Sequence, residues 1–411
     1  MADYQIWLRD EGGERIALLD SVPSFDFTIM SNGIGTFTLV LPYSHPKRPL
    51  LKKECRVEFF RDSGDGWPTE PTFGGIIRFF DTKLGIDEGF YEHMLMVKGV
   101  SYEHLLTRRL TLPDSIVILG HYGGAHAISG LSDEFAYEEH RGTAETVMKA
   151  FVTRNCVSCP ELKGVPDRNI PWFRIEPDQE RGVPLAYRDR FAPILEVLQK
   201  IADATAMDFK VVGSGRYFEF RVERPADKTW DTPTGPPMIF NVRWGTLAGL
   251  HHVFDGLDVA NFVFVGGKPP ENEDTGIVEL ANQPIILADG VESSIFPYAE
   301  IFADARGTDD IVEMLIRGAD VLEERREEVS WEFAVVDAPG QRWQVDWDVG
   351  NIVTVFYEGN KWDCKVRKVK VAVDEDGESI TVEDVSVWTG PISEIAGWGG
   401  EGWPSITPPA V

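Results

Sequence analysis

Basic residues are scarce in this chain: 40 Lys and Arg stand against 67 Asp and Glu, for a formal net charge of −27. Proteins that grip nucleic acid neutralise phosphates with Lys and Arg, and acidic membrane surfaces are bound in the same way. The balance therefore argues against sequence-specific nucleic-acid binding and against attachment to such surfaces. Long apolar runs are missing too. None approaches the roughly 20 residues that a membrane helix needs, so no membrane span is expected. The opening MADYQIWLRDEGGE has no apolar signal-peptide core. Cysteine is rare, with Cys55, Cys156, Cys159 and Cys364. Cys156-Val-Ser-Cys159 is a lone CxxC without a second pair, which is weak evidence for zinc. His126 and His140 lie upstream of it at no recognised metal spacing. Cys55 and Cys364 stand just before or within alternating apolar stretches and read as small buried residues.

Signatures of catalysis are absent as well. There is no P-loop and no Gly-x-Ser-x-Gly elbow. Gly213-Ser214-Gly215 lacks the third glycine and the following helix of a dinucleotide loop. Asp346 and Asp348 flank Trp347 and have the look of paired hydrolase carboxylates. On an extended segment entering a glycine turn they read as turn acids. His251-His252 has no useful metal spacing. Trp172, Trp230, Trp244, Trp331, Trp343 and Trp347 could line a sugar groove, but such residues more often fill cores and subunit contacts. No catalytic, cofactor-binding or metal-ligating residue is expected, no cofactor, and no enzyme.

What the chain does have is a repeated pattern of strands. Asn351–Tyr357 alternates apolar and polar residues, Glu358-Gly359-Asn360 turns, Cys364–Val373 alternates again, Asp374–Glu378 is an acidic turn, and Ser379–Val387 returns. The same order occurs earlier. Cys55–Arg61 opens it, a longer turn follows, Phe73–Leu84 is the long strand, residues 85–89 form an acidic turn, and His93–Val100 returns. Before this first copy, Tyr4–Leu8 and Arg15–Leu19 form one hairpin. Phe25–Ile29 and Thr36–Leu41 form another, over Ser31-Asn32-Gly33, where Asn-Gly supplies the positive φ of a tight turn.

Between the copies the pattern changes. Tyr102–Arg109 reads as a helical turn, and residues 112–142 as irregular. Thr143–Asn155 is an amphipathic helix capped by Thr143, residues 156–188 read as loop, and Phe191–Met207 is a second helix with Pro193 in its first turn. Asp208–Val212 and Arg216–Val222 make a hairpin. Further strands are expected at Phe240–Val242, Asn261–Val265 and Val329–Val336, and a helix over Thr308–Glu327. Residues 271–300 are acidic without Lys or Arg. The tail after Trp388 is rich in Gly, Pro and Trp and reads as a disordered end or as an arm whose Trp398 and Trp403 dock on a neighbour. The expected fold is mainly β with an α+β insert: a first β-domain at 1–112, an α+β insert at 113–235, a second β-domain at 236–388 holding the helix 308–327, and an arm at 389–411.

In order along the chain, FDFTIMSNGIGTFTLVLP, FGGIIRFFDTKL, MLMVKGVSYEHLLTRR, RFAPILEVLQKIADATAMDFKV, VDWDVGNIVTVFY and KVRKVKVAV resemble the siphophage tail-tip and baseplate hub proteins. The resemblance spans nearly the whole chain and lies in patterns rather than chemical signatures. It implies two tail-tube-like antiparallel β-barrel or sandwich domains in one chain. It implies a structural homotrimer whose six tube-like domains form a ring on the hexameric tail tube. Distal tail proteins, the tape measure protein, and a fibre, spike or receptor-binding assembly would be its partners. Such a ring belongs to the virion tail tip, is assembled in the host cytoplasm, and forms part of the DNA-ejection conduit during viral entry. The acidity suits a lumen that must not hold DNA, though it also simply keeps a protein soluble. Some relatives carry peptidoglycan-cleaving domains; with the chain stopping at Val411, none is expected here. The Phe25–Leu41 hairpin has no clear counterpart in the second copy except Val329–Gln344. Two other readings stand beside the hub: a carbohydrate-binding or glycan-cleaving tail protein, and a tip protein whose insert binds the host receptor directly.

Overall fold

The computed structural model describes residues 2–87, 90–112, 117–122, 125–129, 137–160, 167–231, 235–267, 285–287, 298–305, 314, 318, 321–322, 324–325, 328–388 and 405–406. The chain forms two compact units, residues 1–250 with 332–407 and residues 251–331 with 408–411. It is mainly antiparallel β with an α+β portion, as the sequence predicts.

The first seven strands are β1 (Asp3–Arg9), β2 (Arg15–Leu19), β3 (Ser24–Met30), β4 (Thr36–Pro42), β5 (Arg56–Asp62), β6 (Phe73–Asp87) and β7 (Phe90–Ser101). Alternation sends Phe25, Phe27, Phe37, Leu39, Leu41, Phe59 and Val97 into one core, all buried. The turn between β3 and β4 places Asn32 at φ 56°, the left-handed conformation that Asn tolerates better than most residues.

The segment after β7 makes the α+β portion. Tyr102–Arg108 is a 3₁₀ turn, followed by β8 (Val117–Tyr122), β9 (Ala125–Ser129), β10 (Glu138–Thr143), α1 (Ala144–Val152), β11 (Phe173–Ile175), β12 (Pro184–Asp189), α2 (Ile194–Thr205), β13 (Asp208–Ser214) and β14 (Tyr217–Glu223). Thr143 caps α1 by accepting from Thr146 N–H, and Pro193 stands at the N-cap of α2. The two helices bury Val147, Phe151, Leu198 and Ile201 against Phe209, Phe220 and Val222 of the β13–β14 hairpin. Residues 112–142 and 156–188 are less irregular than expected. They contain β8 to β10, and β11 and β12; β11 pairs in parallel with β14 and β12 antiparallel with β10.

The strands that follow are β15 (Asp227–Lys228), β16 (Ile239–Phe240), β17 (Leu247–Asp255), β18 (Phe262–Gly267), β19 (Ile285–Leu287), β20 (Glu300–Ala305), β21 (Glu328–Val335), β22 (Ile352–Tyr357), β23 (Asn360–Asp374), β24 (Gly377–Val387) and β25 (Ser405–Ile406). In the second unit β18 lies between β19 and β20, over a small core of Val263, Val265, Ala303 and Met314. Met314, Gly318, Val321, Leu322 and Glu324 are helical; the rest of the helix expected over Thr308–Glu327 lies outside the described residues. So do most of the acidic stretch 271–300 and, apart from Ser405 and Ile406, the arm 389–411 with Trp398 and Trp403.

The two copies have the same backbone register. β6 and β23 each run 15 residues. Each pairs with the strand after it and, over its first half only, with the strand before it. Ile77 bonds to Glu54 and Cys55 as Val366 bonds to Gly350 and Asn351, by the same N–H and C=O pattern. Glu54 and Gly350 both hold positive φ, at 70° and 87°. One residue later each long strand carries a β-bulge, at Arg78 in β6 and at Arg367 in β23, and β24 adds one at Glu383 that β7 lacks. A bulge adds one unpaired residue and bends the strand. In β23 it keeps Val366 and Val369 both buried although Arg367 and Lys368 lie between them.

The correspondence extends to the neighbours. Leu39 and Val40 of β4 face Val97 and Met96, and Phe333 and Ala334 of β21 face Val382 and Thr381. Val329–Gln344 supplies only half of the counterpart of the Phe25–Leu41 hairpin, through β21. The whole counterpart is β21 together with β17, which stands beyond β21 as β3 stands beyond β4. Residues 256–327 replace the short Ser31–Gly35 turn. The copies join at β3 and β23, which pair antiparallel from Phe25↔Val373 to Met30↔Lys368.

One buried acid anchors a loop to α1. Glu145 accepts from Lys149 Nζ at 2.5 Å and from Arg181 at its backbone N (2.9 Å), Nε (2.8 Å) and Nη2 (3.0 Å). Burial alone would raise its pKa, but the Arg181 and Lys149 hydrogen bonds pull it down to about 2 from 4.5. Its stabilisation, roughly 3 kcal/mol for a shift of this size, is fully present above the unfolded value and lost as pH falls through the folded one. We predict that Glu145→Gln lowers the thermal midpoint at neutral pH and flattens the loss of stability between pH 4.5 and 2, read by circular dichroism melts.

Candidate functional site

The residues that first suggest chemistry are taken up by structure. Asp346 Oδ2 accepts from Arg342 N–H at 2.7 Å. Asp348 Oδ1 accepts from Val349 N–H at 2.8 Å and Trp343 Nε1–H at 3.1 Å. Burial pushes the Asp348 carboxyl up. The two carboxylates thus close the turn that buries Trp343 and Trp347, and Trp347 donates to Gln341 O at 2.9 Å.

Cys156 and Cys159 are both free thiols at the end of the π-turn Thr153–Val157 that follows α1. Burial pushes Cys156 up to about 12 and raises Cys159 as well, the opposite of what a nucleophilic or metal-binding thiol requires. Among the described residues no three His, Cys, Asp or Glu side chains cluster as metal ligands. His252 packs on Trp331 with ring centroids 4.1 Å apart. Gly213 and Ser214 end β13, and Gly215 takes φ 61° in its hairpin turn. A cleft lined by Met30, Phe73, Tyr102, Glu103 and Val211 encloses about 110 Å³, below the ~300–1,000 Å³ usual for small-molecule sites.

Of the tryptophans, Trp331, Trp343 and Trp347 are buried, while Trp230 and Trp244 are 51% and 57% exposed. The exposed pair flanks Phe356, with centroids 6.3 and 5.7 Å away.

What the geometry does assemble is a set of buried charged joints, two of which tie residues of both copies together. At the first, Asp208 Oδ1 accepts from Ser31 Oγ (2.9 Å) and Asn32 Nδ2 (2.8 Å) of the β3–β4 turn, and from Lys365 Nζ (2.5 Å) of β23. One carboxylate at the start of β13 thereby ties both copies to the α+β portion. Asn32 completes the joint, since its Oδ1 accepts from Phe209 N–H at 2.8 Å. Burial lowers the pKa of Lys365, and Asp208 opposes that shift.

At the second joint Arg61 of β5, its side chain fully buried, reaches across to the other copy. It donates through Nε and Nη2 to the two Glu378 oxygens at 2.7 and 3.0 Å, to Asp337 at 2.5 Å, and to Trp343 O at 3.2 Å. The carboxylates outweigh the burial and raise the Arg61 pKa. Tyr4 also donates to Glu378. At the third, Arg9 Nε lies 2.8 Å from Glu58. Nearby, Arg56 stacks 3.8 Å over Phe218 and donates to Arg216 O at 2.8 Å. Sequence reading singled out none of these. The available signal was a charge at an inward position of an alternating strand, as with Arg61 in CRVEFFR and Lys365 in CKV.

The family model for the Siphovirus ReqiPepy6 Gp37-like protein matches residues 4–383, and the chain belongs to that family of siphovirus tail proteins. No curated protein matches it. Among solved structures, the 43 kDa tail protein of prophage MuSo2 from Shewanella oneidensis is similar in fold. Its TM-score is 0.50 at 13% identity, over 93% of this chain and 98% of that one. A tail protein from Neisseria meningitidis MC58 gives 0.49 at 12% identity, over 94% and 97%. A chain of the phage P2 baseplate in its activated conformation gives 0.42 at 9% identity, over 95% and 100%.

Two outcomes are expected here. Arg61→Ala strands Glu378 and Asp337 and costs about 3–5 kcal/mol, as for other broken buried ion pairs, measured as a shift in the urea midpoint. Asp348→Asn keeps an acceptor for Trp343 and stays within about 1 kcal/mol of the parent, whereas Asp348→Ala leaves both donors unmet and costs roughly 1–3 kcal/mol.

Proposed function

We propose that this member of the Siphovirus ReqiPepy6 Gp37-like family is the structural hub of a phage tail tip. Three chains form a pseudo-sixfold ring that joins the hexameric tail tube to the distal tip or fibre, and the ring forms part of the DNA-ejection conduit. The observation that carries this is the duplicated sheet, with its register and its bulge repeated at Arg78 and Arg367. A chain holding two equivalent modules gives a trimer six matching positions, which answers a hexameric neighbour. The net charge of −27 supports a conduit that does not hold DNA.

In this reading residues 1–112 and 236–388 are the two tube-like domains, residues 113–235 the insert, and 389–411 an arm. The hub acts without cofactor, metal or catalytic residue. It contacts tube, distal tail, tape measure and fibre or receptor-binding proteins, resides in the virion, and is assembled in the host cytoplasm.

The exposed Trp230 and Trp244 favour a second reading, in which the protein also binds host-surface carbohydrate, since apolar aromatic faces suit sugar rings. Glycan-array binding that disappears in a Trp230→Ala/Trp244→Ala variant supports it; an array without signal removes it.

The hub reading is tested on particles. Quantitative mass spectrometry of purified tails is expected to give this chain at half the copy number of one tube ring, with imaging placing it at the tip. A copy number equal to a tube ring, or a position along the shaft, overturns it.

A further inference from the structure

The two modules differ in one respect that their shared register makes visible. In β23 the edge beyond the bulge, Lys368–Val373, is paired with β3. In β6 the matching edge, Phe79–Leu84, has no paired strand among the described residues. Its side chains register the difference. Val369 and Val371 are 0% exposed, whereas their counterparts Phe80 and Thr82 are exposed, Phe80 at 39%, and Leu84 is 63% exposed where its counterpart Val373 is half-buried. Phe80 and Thr82 lie on the same face as Val97 and Leu95, opposite which they pair, so this is the core-side face carried past the end of its own cover. An exposed, apolar, unpaired edge is a template for another strand.

The other end of the sheet supplies the complement. β17 is the last strand of the order and holds in the second module the place of β3. Its register follows from the same correspondence. Phe27 faces Phe37 across β3 and β4; the ring of His252 packs on that of Trp331, the residue of β21 that matches Phe37. Taking that contact as the counterpart of Phe27↔Phe37 aligns Phe25 with Leu250 and, through Val373↔Phe25, sets Leu250 against Leu84.

We propose that the β6 edge Phe79–Leu84 is completed by β17 of a second copy of this chain, in the register that β23 makes with β3, with Leu84 opposite the partner's Leu250. This rests on the trimeric-ring reading and names the strands that close the ring. The contact is head-to-tail, with different strands contributed by the two copies, and a head-to-tail contact gives a ring when its rotation closes. The seam inside one chain and the contact between chains are then two versions of one joint.

The test is a Leu84→Cys/Leu250→Cys variant of the full chain, linked with a short bis-maleimide at high concentration and in tails. Leu84 is exposed, Cys55, Cys156 and Cys364 are buried, and the half-buried Cys159 is replaced by Ser in every variant. The double variant is expected to yield covalent dimers and trimers. A mixture of the two single variants is expected to yield dimers only, and either single variant alone nothing. A Phe80→Asp/Leu84→Asp variant is expected to keep the parent's circular dichroism spectrum and to lose the trimer in light scattering.

Trimers that form but do not link, or that survive the acidic substitutions, overturn this pairing and leave the ring standing. Linking of Leu84→Cys to itself, or to another tail protein, assigns the edge a different occupant and also overturns it. A parent chain that is monomeric both in solution and in particles removes the ring, and the pairing with it.

Discussion

A buried strand needs partners along its whole edge, and the long strand of each module has more edge than the preceding strand can cover. β23 is 15 residues long and β22 is 6; β6 is 15 and β5 is 7. Half of each edge must find its hydrogen bonds elsewhere. The bulge at Arg78 and Arg367 marks where the first partner ends and the strand bends toward the next. In β23 that next partner is β3, so the two copies are not separate beads on a string. They share one continuous sheet, and the placement of the α+β portion follows from where that seam runs.

Apolar burial along the seam, Val369 and Val371 against Ile29 and Phe27, is favourable but has no direction. A slip by one residue would turn each strand's apolar set to the other face, and a slip by two would still bury valine against phenylalanine. The charged joints remove that degeneracy. Asp208 can accept from Ser31, Asn32 and Lys365 together only when β23 and the β3–β4 turn stand in one register. Arg61 presents a planar fork to the two oxygens of Glu378, and that geometry tolerates little displacement. Burying ions is a poor way to gain stability; here they pin a register that the apolar residues leave open.

Much of the local structure was legible in the sequence. Alternation marked the strands, Asn32 its turn, Thr143 its helix cap, and the order of strands and turns marked the repeat. The features that make the repeat compelling were not legible. Two residues between Val366 and Val369 break the period of two, and only a bulge reconciles that spacing with burial of both valines. β17 and β21 could not be recognised as the counterpart of a hairpin, because residues 256–327 separate them. Short strands such as β11 take their conformation from a partner far along the chain, here β14 in parallel. The same holds for the joints: Arg61 and Glu378 are 317 positions apart, and an inward arginine says that a carboxylate is needed without saying which.

The two modules have kept their backbone and lost their sequence, and the physics explains why these separate. The hydrogen bonds around Ile77 and Val366 are made by main chain, so they constrain register without constraining side chains. Packing is solved locally in each copy. In the first, Gly75 and Gly99 leave room for the Phe37 ring, where a Cβ would come within 2.8 and 2.2 Å of it. In the second, Cys364 and Val385 stand at those positions, and Trp331 replaces Phe37. The loops are freer still. The first module turns between β3 and β4 in five residues, while the second carries a whole compact unit there. A sheet that must keep its main-chain ladder permits few changes, and the ends of its strands permit many. Duplication within one chain therefore lets the sheet shared by the two copies stay constant while what projects from each copy diverges.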